Sequence, residues 1–93
     1  MESFRRGGLT FDVVDGGPQD GEPVVLLHGF PQDSSAWKLV SPALHQAGLR
    51  TLALDQRGYS PMARPRGRRH YRLRETTDDV LALLDAAGLE SAH

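Results

Sequence analysis

Val24-Val25-Leu26-Leu27 and Thr51-Leu52-Ala53-Leu54 are apolar runs bounded by turn residues. Runs of this length predict strands buried on both faces, hence parallel and central in a sheet. Leu9-Thr10-Phe11-Asp12-Val13 alternates apolar and polar, the period of a half-buried strand. Gly7-Gly8 predicts a turn ahead of it, and Phe4 to Arg6 a short strand before that turn. Residues 16–23, rich in Gly and Pro, read as a loop.

Between the two apolar runs, Trp37, Val40, Leu44 and Ala47 recur at helical spacing. Pro42 would break one continuous helix. The pattern therefore predicts a turn at residues 34–37, then a helix opening at Pro42 with Ser41 as its cap. Gly48 suits the left-handed residue that ends it. Residues 24–54 thus read as one βαβ unit with a right-handed crossover. A second helix carries Leu73, Thr77, Val80, Leu84 and Ala87 on one face, with Leu81 at its flank and Gly88 as its stop. A further parallel strand is due after it, where the sequence reaches His93. The expected fold class is α/β: short antiparallel strands followed by a βαβα unit, the first part of an open sheet.

With 93 residues there is room for at most one domain. A compact chain of 10.2 kDa would expose roughly 5,300 Å². Twelve acids against 11 bases give a net charge of −1, so there is no global attraction to nucleic acid or anionic membranes. The absence of cysteine excludes disulfides, thiolate catalysis and cysteine-ligated zinc. The first six residues lack the apolar core of a secretory signal, and no aliphatic run approaches the roughly 20 residues of a membrane span. The expectation is a soluble, cytoplasmic chain. The charge is uneven, with eight arginines and one acid over residues 50–74.

A polar cluster follows each apolar run: His28-Gly29-Phe30-Pro31, then Asp55-Gln56-Arg57-Gly58-Tyr59-Ser60. Parallel strands put both clusters at one sheet edge, where open α/β sheets bind ligands. Gly29 allows close backbone approach, while Pro31 lacks an N–H and holds Phe30 extended. The Phe30 N–H is then free to face a developing oxyanion. The same four residues also suit a plain strand-to-helix loop. In the second cluster, Asp55 and Arg57 are placed to pair and brace the loop. Gly58 is placed to take a backbone angle closed to other residues. The plainer alternative is a solvated turn whose surface ion pair is worth little.

In order and spacing, Leu27-His28-Gly29-Phe30-Pro31, Trp37, residues 55–60 and Asp79-Val80 resemble the N-terminal part of α/β-hydrolases. The nearest branch is that of epoxide hydrolases and haloalkane dehalogenases. The resemblance runs from about Phe4 to His93. It implies that residues 1–93 are a partial domain, with the nucleophile elbow, cap and C-terminal half lying beyond them. It implies that the Phe30 N–H is an oxyanion donor and the Phe30–Pro31 bond a candidate cis peptide. His28, Gly29, Pro31, Asp55, Arg57 and Gly58 would support that loop, and Trp37 would pack. In such hydrolases the third strand lies beside the fifth, which carries a G-x-S-x-G elbow or its Asp version. Ser34, Ser35, Ser41, Ser60 and Ser91 lack the elbow pattern, and His28 is misplaced for a triad base. No catalytic residue of the family falls within the chain, and an elbow is expected within roughly 20 residues after His93.

The resemblance thus implies a cofactor-free hydrolase forming a covalent ester that water cleaves. An Asp nucleophile would mean an epoxide or haloalkane substrate, a Ser nucleophile an ester; the loop leans to the Asp branch. The chain alone should be inactive. Two other readings stay open: a small-ligand binder of the same fold, or a truncated product without function. The expected partner is a small molecule, not nucleic acid or membrane, with self-association through the apolar edge at residues 24–27. The arginines at 64, 66, 68, 69, 72 and 74 would attract phosphate. Pro65 and Gly67 interrupt them and no nucleic-acid motif accompanies them, so they read as a solvated or cap-facing loop. His28, His45, His70 and His93 have no metal-like spacing. Asp78-Asp79 suits the helix dipole better than an acid/base pair.

Overall fold

The structure, a computed structural model, describes residues 1–29 and 32–93. Its strands are β1 (Ser3–Arg6), β2 (Leu9–Gly16), β3 (Glu22–Leu27) and β4 (Leu49–Leu54). They form one sheet in the order β1-β2-β4-β3. β1 and β2 are an antiparallel hairpin, β2 runs antiparallel to β4, and β3 runs parallel to β4. The hairpin turns on Gly7 and Gly8, whose φ values of +57° and +82° match the twist of the flanking strands. Phe4 stacks on its register partner Phe11 with ring centroids 5.0 Å apart. The two helices are α1 (Ser41–Gln46) and α2 (Leu73–Ala86), each preceded by a 3₁₀ turn, Ser34–Trp37 and Arg68–Tyr71.

The core lies on the α2 side of the sheet, where Phe4, Phe11, Val13, Leu52 and Leu54 meet Leu83 and Ala63. The opposite face carries α1 and the first 3₁₀ turn. There Trp37, Pro42 and His45 stand over Val14 and Ala53.

The two apolar runs do not have equal places. β4 is central, and its residues from Arg50 to Leu54 are all buried. β3 is parallel, as its sequence predicts, but it is the outermost of the described strands rather than central. Leu27 is 42% exposed and only Leu26 of the run is buried. Among the described residues, the outer edge of β3 exchanges backbone hydrogen bonds with one, His93. His93 N donates to Pro23 O at 3.0 Å and Val25 N donates to His93 O at 2.8 Å. These bonds make one parallel ladder step, at the place where the sequence predicts a further parallel strand.

Two helix details also differ. The cap of α1 is Val40, not Ser41, and Pro42 is the second helical residue. Ala43 N and Leu44 N both donate to Val40 O, so the helical bonding starts one residue earlier than proline alone suggests. In α2 the fully buried positions are Asp79 and Leu83, whereas Leu73 is 81% exposed. The buried stripe is rotated because Asp79 is drawn inward by two arginines, as described next.

Candidate functional site

The loops after β3 and β4 meet at the shared C-terminal edge of the sheet. His28 directly follows β3 and is only 7% exposed. Its Nε2 accepts the backbone N–H of Gln56 at 3.2 Å, so its Nδ1 must carry the proton in the neutral ring. That Nδ1–H faces Gly29 O at 3.1 Å. The Tyr59 ring meets the imidazole edge-on, 4.8 Å between centroids. Both ring nitrogens are committed to backbone partners, leaving no lone pair to take a substrate proton. His28 is thus a fixed strut, in keeping with its exclusion as a triad base.

Two further bonds tie the loops together. The Gln56 side-chain amide donates to His28 O at 2.7 Å. Asp55 Oδ1 accepts the backbone N–H of Ser34 at 2.6 Å, at the start of the first 3₁₀ turn. Asp33 caps that turn by accepting from the N–H and hydroxyl of Ser35, and the hydroxyl bond holds its carboxyl below the usual carboxylate range. Gln32 N donates to Gly29 O at 2.8 Å. Phe30 and Pro31, expected to carry the oxyanion donor and a cis bond, lie outside the described residues.

The expected Asp55–Arg57 pair does not form. Arg57 turns the other way and is 6% exposed. It grips Asp79 with two bonds, Nε to Oδ2 at 2.7 Å and Nη2 to Oδ1 at 2.8 Å. It also donates to the His70 carbonyl. Arg6 approaches Asp79 from β1 at 2.9 Å and reaches Glu75 at 3.1 Å. Asp79 raises both guanidinium pKa values, against burial, which lowers them. Residues two apart in sequence therefore face different partners: Asp55 holds the β3 loop, and Arg57 anchors the β4 loop to α2. Nor is the turn fully solvated, because Arg57 and Ser60 within it are buried. Asp79 is not a surface acid serving the helix dipole but the shared carboxylate of this cluster.

Gly58 takes φ of +90°, and a Cβ there would stand 3.1 Å from Tyr71 Cε1. Behind it, the buried Ser60 hydroxyl donates to Asp55 O at 2.7 Å and accepts Asp12 N at 2.9 Å, tying the β4 loop to β2. Sequence reasoning missed Gln56 and Ser60 as braces and misread Asp79. The available signal was Asp79 itself, four residues before Leu83 and so on the same face of the helix. The arginines from 64 to 74 named above are all exposed, and none reaches a carboxylate among the described residues. No described cluster of His and acids is arranged to hold a metal ion. No described helix is long and apolar enough to cross a membrane.

The sheet edge and its braced loops have counterparts in known proteins. The α/β hydrolase fold model matches residues 22–93. Epoxide hydrolase B of Mycobacterium tuberculosis is 44% identical over 88 residues, covering 94% of this chain and 25% of that protein. Epoxide hydrolase A of the same organism is 40% identical over 85 residues, covering 91% of this chain and 26% of its own length. The crystal structure of epoxide hydrolase A from Mycobacterium thermoresistibile superposes with a TM-score of 0.90 at 37% identity, over 97% of this chain and 28% of that one. The chain thus spans about a quarter of the relatives it matches, the quarter with the sheet edge described above, and it belongs to the α/β-hydrolase fold family.

Proposed function

We propose that this chain supplies the oxyanion-binding part of a hydrolase that opens epoxides through a covalent ester. The observation that carries this is the clamp from the β4 loop onto the loop after β3: Gln56 donates to His28, and Asp55 accepts the N–H of Ser34, so residues on either side of Phe30 are tied to the β4 loop. The relatives named epoxide hydrolases support the substrate class. In this reading a carboxylate nucleophile from outside residues 1–93 attacks an epoxide carbon, the C–O bond breaks, and an ester forms. Water then adds to the ester carbonyl. The negative charge that develops on its oxygen is met by the Phe30 N–H before the intermediate collapses to diol and carboxylate. His28, Gly29, Pro31, Asp55, Arg57 and Gly58 act only by fixing that donor.

Two measurements test this. Residues 1–93 alone should turn over neither epoxides nor esters, since positioning without a nucleophile forms no ester. A chimera should restore activity: the matching first quarter of Mycobacterium tuberculosis epoxide hydrolase B is replaced by this chain. It should hydrolyse epoxides, and Phe30→Pro, which deletes the donor N–H, should lower its kcat by about 100-fold or more. A folded chimera without epoxide turnover, or one indifferent to Phe30→Pro, would overturn the proposal.

A further inference from the structure

We propose that Gln56 is a positioning residue: its side-chain amide sets the orientation of the peptide that leaves β3. The clamp between the loops has two halves of different kind. The backbone N–H of Gln56 to His28 Nε2 is available to any residue but proline at position 56. The 2.7 Å bond from the Gln56 side chain to His28 O needs a donor at the right reach. A carbonyl accepts only from a donor, so the amide nitrogen, not the oxygen, faces His28. Asn is one methylene short, Leu and Met fill the space without a donor, and Glu presents an acceptor to an acceptor. The choice of side chain here therefore decides whether the 28–29 peptide is pinned.

The consequence runs outward along the loop. His28 O and the His28 ring are held by the same residue, which fixes the peptide plane and side chain of His28 together. Gly29 O then receives two donors, the His28 ring and Gln32 N. The next anchor is Ser34 N on Asp55, adjacent to Gln56. Releasing the Gln56 side chain removes half of the inner anchor, the bond to His28 O, and leaves the outer one. That predicts local loosening, without loss of the buried Arg57–Asp79 cluster or the sheet. The catalytic consequence rests on the oxyanion role proposed above; the clamp does not.

The test is residue-resolved amide hydrogen exchange on the 93-residue chain, comparing the parent with Gln56→Leu and Gln56→Glu at neutral pH. Both variants keep the bulk and the backbone bond but lose the donor. Exchange at Gln32 and Ser34 should rise about tenfold in both, with β2, β4 and α2 unchanged. Unchanged loop exchange in either variant overturns the proposal, and a Glu variant protected like the parent would assign the effect to bulk. Exchange that rises everywhere would make Gln56 a general stability residue, and a parent without protected amides would remove the fold on which the clamp depends. Both outcomes overturn it too. In the epoxide hydrolase chimera, Gln56→Glu should lower kcat about tenfold and lower KM in parallel, leaving kcat/KM unchanged, because the donor acts only in hydrolysis of the ester, after the epoxide has been opened. A rise in KM at constant kcat overturns the positioning role. A chimera inactive from the start indicts the proposed function alone, and the exchange pattern still decides the clamp.

Discussion

Asp79 is 1% exposed and neutralises guanidinium groups from two other parts of the chain, Arg57 from the β4 loop and Arg6 from β1. A buried pair broken from one side costs more than the pair itself contributes, because the surviving charge stays desolvated. Asp79→Asn leaves Arg57 facing an amide that offers one oxygen and one unwelcome N–H. The expected loss is about 3–5 kcal/mol, a large part of the roughly 5–15 kcal/mol of a whole domain. Urea unfolding followed by circular dichroism measures it. Glu75→Gln is the control: Glu75 is partly solvated and meets the same arginines, and it should cost less than about 1 kcal/mol. A similar loss in both variants would mean that burial of Asp79 is not what makes the cluster matter. This pairing was hidden in the sequence. Asp55 stands two positions from Arg57 and suggests itself as partner, whereas the true partner is 22 residues away and is brought there only by packing of α2. Gly58, by contrast, was legible, because a positive φ excludes other residues by local sterics alone.

Between elements, the second ionic tie joins β2 to β4. Asp15 stands opposite Leu52 in the register, and Arg50 reaches it diagonally with bonds of 3.0 and 2.8 Å. The Arg50 hydrogen bonds lower the Asp15 pKa to about 2, against burial, which raises it. A carboxylate depressed on folding stabilises the fold while it is ionised in both states. That stability is fully present above about pH 4 and is lost as pH falls towards 2, amounting to about 2 kcal/mol. Urea midpoints at pH 6, 4 and 2.5 should fall more steeply for the parent than for Asp15→Asn. Parallel curves would remove Asp15 from the acid response. Element order and the parallel β3–β4 pair were legible from the apolar runs and their turn residues. The place of β3 was not: Val24-Val25-Leu26-Leu27 and Thr51-Leu52-Ala53-Leu54 are alike in pattern, and only the neighbours across the sheet tell an outer strand from a central one. The helical face of α2 was legible in part: Val80 and Ala87 pack on the core as the spacing predicts, whereas Leu73 and Thr77 are exposed and Asp79, a charged residue with two partners, took an inner position.

At the scale of the molecule, the accessible surface is 6,035 Å², above the roughly 5,300 Å² of a compact chain of this mass. Two parts of the sheet lack cover. On the α1 side, Val14 and Val40 are exposed, and a cavity of about 240 Å³ separates Trp37 and Pro42 from Val14 and Ala53. The Trp37 indole N–H is buried there without an acceptor among the described residues. The open edge of β3 is the other deficit. Pro23 and Val25 point their outer backbone groups at His93, so by alternation the next outward groups are Val25 O and the N–H of Leu27. Unpaired edge groups beside a partly exposed leucine template pairing with a second copy. The 93-residue chain should therefore associate with rising concentration in sedimentation velocity. Leu27→Pro separates the two causes. Proline at this position removes an outward N–H and spares the bonds to β4, so the fold should survive by circular dichroism while association weakens. Association that persists unchanged in Leu27→Pro would assign it to the uncovered α1 face. A parent chain that stays monomeric would show that the single ladder step at His93 is enough to blunt the edge.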